Sequence, residues 1–215
     1  MAFKLPTVYP ITDVRLSGLS HSEQVERLIA GGATLIQLRE KHLAPRDFYR
    51  DAAAALHMAR KHNVQLIIND RVDIALALGA DGVHLGQTDL PPEAARSLLG
   101  KHAIIGFSTH NLEQSLVAAE LPISYLAVGP IFETSSKRNP DPAVGLEGLR
   151  LIRESIGHLP LVAIGGVTLE NAQRVFQAGS DSVALIRGLL EGSEIEARTR
   201  EMLALGRKYG PLPAG

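Results

Sequence analysis

Three stretches of the chain repeat one pattern: GGATLIQL (31–38), LGADGVHL (78–85) and AGSDSVAL (178–185). Each leaves a helix-period segment through glycine and enters a short apolar run. Glycine closes a helix with little strain, so each stretch reads as a helix–strand junction. Working outward, short apolar runs recur at 8–12, 34–38, 65–68, 82–85, 103–107, 125–128, 161–164 and 182–186. Between them lie helix-period segments such as SEQVERLIAGG (22–32), PRDFYRDAAAALHMARKHN (45–63), NLEQSLVAAE (111–120) and LENAQRVFQAG (169–179). Ser22, Asn111 and Thr168 are expected as N-caps. Gly32, Gly79, Gly100 and Gly179 are expected as C-caps. Strict strand–helix alternation predicts parallel strands. Eight such units in 215 residues predict one (β/α)8 barrel over 1–215. A doubly wound open sheet is the alternative, but no GxGxxG turn follows the first run. SSKRNPDPAVG (135–145) is the long irregular loop, a length that tends to mark function.

Composition narrows the function. The formal net charge of −1 gives no global attraction for nucleic acid or an anionic membrane. With no cysteine, disulfides and thiolate chemistry are excluded. No run of about 18 apolar residues predicts a membrane span, and MAFKLPTVYP (1–10) does not read as a signal peptide. A cytoplasmic protein acting on small molecules is expected, and a homo-oligomer is compatible with the chain.

In such a barrel the chemistry lies where the strands end. In LIQLREK (35–41), Gln37, Arg39 and Lys41 fall at alternate positions and would face one side. Asn69 and Asp70 follow the third run, Gln87 and Asp89 the fourth, and Ser108, Thr109 and His110 the fifth. Thr134, Ser135, Ser136 and Lys137 follow the sixth, Gly165–Gly166 the seventh, and Arg187–Gly188 the eighth. Asp70 and Asp89 are two carboxylates on neighbouring strand ends, a donor set that suits Mg²⁺ shared with substrate phosphate. Arg39, Lys41 and Lys137 suit phosphate oxygens. The double glycine lets backbone N–H groups approach a second anion. Bland roles compete: an Asp at a junction also caps helices, His84 fits a packed core histidine, and Gly165–Gly166 also serves tight packing.

GGATLIQLREK, IINDRVDIALALGADGVHLGQTDL, IIGFSTHN, YLAVGPIFETSSK, GLEGL, VAIGGVTLENA and GSDSVALIRGL, in that order, resemble the thiamine phosphate synthase family and the thiazole tautomerases that share its superfamily. The resemblance covers nearly the whole chain. It implies Mg²⁺-dependent joining of 4-amino-5-hydroxymethyl-2-methylpyrimidine diphosphate to 4-methyl-5-(2-phosphoethyl)thiazole, giving thiamine monophosphate and diphosphate. It implies Gln37, Arg39, Lys41 and Asn69 on the pyrimidine and diphosphate side, and Asp70 and Asp89 as metal ligands. Ser108 would lie beside the reacting diphosphate, and Thr134, Ser136 and Lys137 on a loop touching both substrates. Gly165, Gly166, Ile186 and Arg187 would form the thiazole phosphate site. Arg39, Lys41, Ser108 and Lys137 are the catalytic set it implies. Three departures stand out: Ser136 replaces the usual Thr, Arg187 a frequent Ser, and Glu133 a common Pro in a phrase typical of the tautomerases.

Three rival readings follow. A thiazole tautomerase would use His110 as acid or base and need no diphosphate site. A non-catalytic barrel would bind thiazole phosphate without turnover. An isomerase of aromatic amino-acid synthesis would need an acid–base pair rather than a metal-like pair.

Overall fold

A computed structural model describes residues 3–133 and 142–211. In chain order the elements are β1 (Val8–Thr12), α1 (Val14–Ser17), α2 (His21–Ala30), β2 (Leu35–Leu38), α3 (Pro45–Lys61), β3 (Gln65–Asn69), α4 (Val72–Leu78), β4 (Gly82–Leu85) and α5 (Pro92–Leu99). Then come β5 (Ile104–Thr109), α6 (Leu112–Ala119), β6 (Tyr125–Val128), α7 (Gly145–Ser155), β7 (Leu161–Ile164), α8 (Ala172–Gln177), β8 (Ser182–Leu185), α9 (Arg187–Leu190) and α10 (Ile195–Tyr209). The eight strands pair in sequence order, all parallel, and β8 closes onto β1. The expected (β/α)8 barrel is the fold.

The strands alternate between two cores. Tyr9, Ile11, Leu35, Ile67, Ile104, Tyr125, Ala127, Val162 and Ala184 fill the barrel. Ile36, Leu38, Leu66, Ile68, Val83 and Ile105 point outward against the helices. On α3, Phe48, Ala52, Ala55, Leu56 and Ala59 are buried, one stripe at helical spacing. Removing that stripe from water is what fixes the helix to the strands, since burial is worth about 25 cal/mol per Å² of apolar surface.

Helix starts correct two expectations. Ser20, not Ser22, caps α2, and it forms a capping box with Glu23. The helix after β7 begins at Ala172 rather than at Thr168. There the Asn171 side chain accepts from Thr168 N at 2.8 Å and donates to Gly166 O at 2.9 Å. Asn111 caps α6 as expected, accepting from Gln114 N at 2.9 Å. Two strands also run further than the apolar runs do. Asn69 belongs to β3, and Ser108 and Thr109 belong to β5. Strand alternation therefore aims Asn69 and Ser108 into the mouth of the barrel.

Candidate active site at the strand ends

The segment after β2 is fixed from behind. Arg39 N donates to Thr12 Oγ1 at 3.3 Å, and the Arg39 guanidinium pairs with Asp13 at 3.1 Å. Glu40 Oε2 meets the buried ring of His21 at 3.2 Å, and Glu40 Oε1 accepts from Leu43 N at 3.0 Å. Burial works against the Glu40 charge, but the donors His42 N, Leu43 N and His21 outweigh it and hold the carboxyl below its usual range. The result is a braced turn that places Lys41 against the Asp70 carboxylate. Gln37 does not share that exterior setting. It is buried inside the barrel, donating to Tyr9 Oη at 3.0 Å. Gln37 thus sits inside the barrel, while Arg39 and Lys41 beyond the strand pair with Asp13 and Asp70.

Asp70 and Asp89 meet at the rim. Asp70 has φ of 60°, a left-handed conformation that non-glycine residues rarely adopt. Its N–H donates to His84 O at 2.9 Å, which pins it to the end of β4. Asp89 Oδ2 accepts from Gly86 N at 2.7 Å. Burial pushes the Asp89 carboxyl above its usual range, and the adjacent Asp70 charge adds to the effect. Two carboxylates forced together are a place where a cation lowers the energy. The pair fits Mg²⁺, which takes one or two carboxylates and completes its shell with water and phosphate oxygens.

On the adjacent strand β5, Ser108 Oγ lies 2.8 Å from His84 Nε2, and Gln87 reaches over to donate to Ser108 O at 2.6 Å. His110 Nδ1 lies 2.6 Å from Gly129 O, the geometry of a ring N–H donating to a carbonyl. On the opposite side, Gly165 has φ of 98° and Gly166 of 65°. A Cβ on Gly165 would lie 2.6 Å from Pro130 Cα, and one on Gly166 2.7 Å from Phe132 Cβ. These glycines therefore have a packing role: they let the segment after β6 lie against the end of β7. Ile186 packs against the inner cluster, while the Arg187 side chain turns along its own helix to Glu191 at 2.9 Å. Thr134, Ser135, Ser136 and Lys137 lie outside the described residues. A cleft of about 440 Å³ between α7 and α8, lined by Phe132, Leu146, Glu147, Arg150, Arg174 and Gln177, contains none of these groups.

A closed parallel barrel with its charged groups gathered beyond the carboxyl ends of the strands has the layout of a barrel enzyme. The family model described as thiamine monophosphate synthase matches residues 8–189. The chain belongs to that family. It is 43% identical over 199 residues to the thiamine-phosphate synthase of Chloroflexus aurantiacus, covering 92% of this chain and 91% of that protein. It is 47% identical over 194 residues to the thiamine-phosphate synthase of Koribacter versatilis, covering 87% and 90%. Among solved structures it resembles a thiamine phosphate pyrophosphorylase from Pyrococcus furiosus, with a TM-score of 0.85 and 36% identity over 94% of this chain and 96% of that one.

Proposed function

We propose that this chain is a thiamine-phosphate synthase, joining the pyrimidine diphosphate to the thiazole phosphate with release of diphosphate. The observation that carries the reading is the convergence of Lys41, Asp70 and Asp89 from three different strand ends. Relatives of that name matching over about nine-tenths of the chain support it. A tautomerase has no use for a paired-carboxylate, cationic rim.

Asp70 and Asp89 would hold Mg²⁺, which when bound neutralises charge on a diphosphate. Arg39 and Lys41 approach the same group from the β2 side. Lys137 would approach from the loop after β6. In a dissociative path the C–O bond breaks before the C–N bond forms, so negative charge grows on the leaving diphosphate. Cations already in place stabilise that charge more than the ground state, which is how they raise the rate. Gln37 and Asn69 would fix the pyrimidine ring over the barrel mouth, and the ring's amino group helps carry the positive charge left behind. The thiazole nitrogen then attacks, while Gly165, Gly166, Ile186 and Arg187 hold the thiazole phosphate. No protein nucleophile is required, in keeping with a chain that has no cysteine.

The test is a coupling assay on the purified protein with both substrates and Mg²⁺, following thiamine phosphate by fluorescence after oxidation. Product that vanishes with EDTA and returns with added Mg²⁺ is expected. Absence of product from folded protein sinks the reading.

A further inference from the structure

Leading up to the site, five side chains form one hydrogen-bonded line, four of them buried and the last, Ser108, half-buried. Gln37 Nε2 donates to Tyr9 Oη at 3.0 Å, Tyr9 Oη lies 2.8 Å from Tyr125 Oη, Tyr125 Oη 2.9 Å from His84 Nδ1, and His84 Nε2 2.8 Å from Ser108 Oγ. Tyr9 and Tyr125 are 1% and 0% exposed, so bulk water does not reach them. Among the described residues, the Tyr9 hydroxyl meets only the Gln37 amide and Tyr125. Gln37 presents its amide nitrogen, a donor, so the Tyr9 hydrogen goes to Tyr125. Tyr125, having accepted, gives its own hydrogen to His84 Nδ1. With Nδ1 accepting, the neutral ring carries its proton on Nε2 and donates it to Ser108 Oγ. Burial pushes both tyrosine hydroxyls upward, so both keep the protons this line needs.

The surrounding fold makes room for the line. A Cβ on Gly106, the β5 residue between them, would lie 2.1 Å from Tyr125 Cζ and 2.5 Å from His84 Nδ1. The strand gives up its side chain at the level where the two rings meet. The rings stack, with centroids 5.6 Å apart and an interplanar angle of 22°. Tyr9 closes edge-on against Tyr125 at 5.7 Å.

We propose that His84 is a positioning residue: held by the Gln37–Tyr9–Tyr125 line, it donates to Ser108 and so leaves the Ser108 hydroxyl hydrogen pointing into the site as a donor to the departing diphosphate. This rests on the synthase reading for the identity of the anion. The orientation of the line itself does not. A hydroxyl whose acceptor side is already occupied cannot turn its oxygen toward an anion. It is therefore preorganised as a donor, with no reorganisation left for the moment of reaction.

The experiment compares wild type, His84→Leu, His84→Gln, Ser108→Ala and the His84→Leu/Ser108→Ala double variant by steady-state coupling. His84→Leu should lower kcat by about 10–100-fold, the range for losing an orienting partner, with little change in KM for the thiazole phosphate. His84→Gln, whose amide nitrogen can reach Ser108, should recover most of the loss. In the Ser108→Ala background, His84→Leu should change kcat less than about twofold, because its effect runs through Ser108. Multiplicative losses, or unchanged kcat in His84→Leu, overturn the proposal. If His84→Leu does not fold, Tyr125→Phe replaces it, with the same demand that Ser108→Ala abolish its effect. Nitrogen NMR of the His84 ring in the wild type needs no turnover. The Nε2–H tautomer is expected, and the Nδ1–H tautomer overturns the proposal even if the synthase reading stands or falls separately.

Discussion

The two halves of the barrel interior are built differently. From β1 to β6 the inward positions include, beside Ile11, Leu35, Ile67 and Ile104, the polar Tyr9, Gln37, His84, Ser108 and Tyr125, joined by hydrogen bonds. From β6 round to β8 they carry Ala127, Val162, Ile164, Ala184 and Ile186 with the one hydroxyl of Ser182, and among the described residues no such line joins them. Buried polar groups are costly unless each has a partner. The first half meets that demand by chaining its groups together, and the charged rim of Lys41, Asp70 and Asp89 lies above this half. The second half presents small apolar side chains below, and above them backbone turned by Gly165 and Gly166. One half thus offers side-chain charge and the other backbone shape, a division that the proposed reaction, with charge developing on the departing diphosphate, would use.

The comparison breaks most sharply at Asp89. Asp89→Asn keeps the bond to Gly86 N but removes one of the two charges. It should lower kcat by about a thousandfold, the scale for losing a preorganised electrostatic partner. The same change should raise thermal stability at neutral pH. The folded protein raises the Asp89 pKa, so the ionised form is disfavoured in the fold, and stability falls as pH rises through that raised value. The gain in Tm should therefore shrink as pH falls through that raised value and be gone below the ordinary carboxylate range. Near-normal turnover at saturating substrate removes Asp89 from the proposed metal pair. In the backbone-built half, Gly165→Ala meets Pro130 Cα at 2.6 Å with φ of 98°, and should cost about 3 kcal/mol in a urea titration. In the polar half, Gly106→Ala should cost about 2 kcal/mol, because the obstruction is two ring edges rather than backbone. Equal costs at the two glycines would erase the distinction.

The sequence carried the barrel and the rim but not what lies beneath. Alternation of strand and helix is a local signal repeated along the chain, so eight parallel strands were legible. Asp70, Asp89 and Lys41 were legible because they follow apolar runs, where a barrel keeps its polar groups. The line under Ser108 was not. Tyr9 and Tyr125 are 116 residues apart, and nothing local says that one hydroxyl will meet the other. His84 read as a packed core histidine, and it is buried, but it is also the bridge to Ser108. Gly106, in the middle of IIGFST, was the available signal, since a glycine inside a strand marks a close approach. Arg39 read as a cation for phosphate, and its pairing with Asp13, a helix cap on the neighbouring strand end, was not legible.

The smallest test lies in the second half. Ser182 is the one inward hydroxyl there, fully buried on β8, and among the described residues its Oγ is the buried side-chain oxygen or nitrogen with no hydrogen-bond partner. An unpartnered buried hydroxyl costs about 1–3 kcal/mol. Ser182→Ala removes the oxygen and leaves a void smaller than a methyl group, so the packing loss should not cancel the gain. The variant should be more stable by about 1 kcal/mol, a rise in Tm of roughly 2–4 °C at this chain length, with kcat unchanged. The corresponding removal in the first half, Tyr9→Phe, should go the other way, because it leaves the buried Gln37 amide without its acceptor, while Tyr125 keeps its bond to His84. A destabilised Ser182→Ala would mean that the hydroxyl has a partner such as a buried water. The second half would then hold a polar group of its own, and the division of the barrel would not extend to its floor.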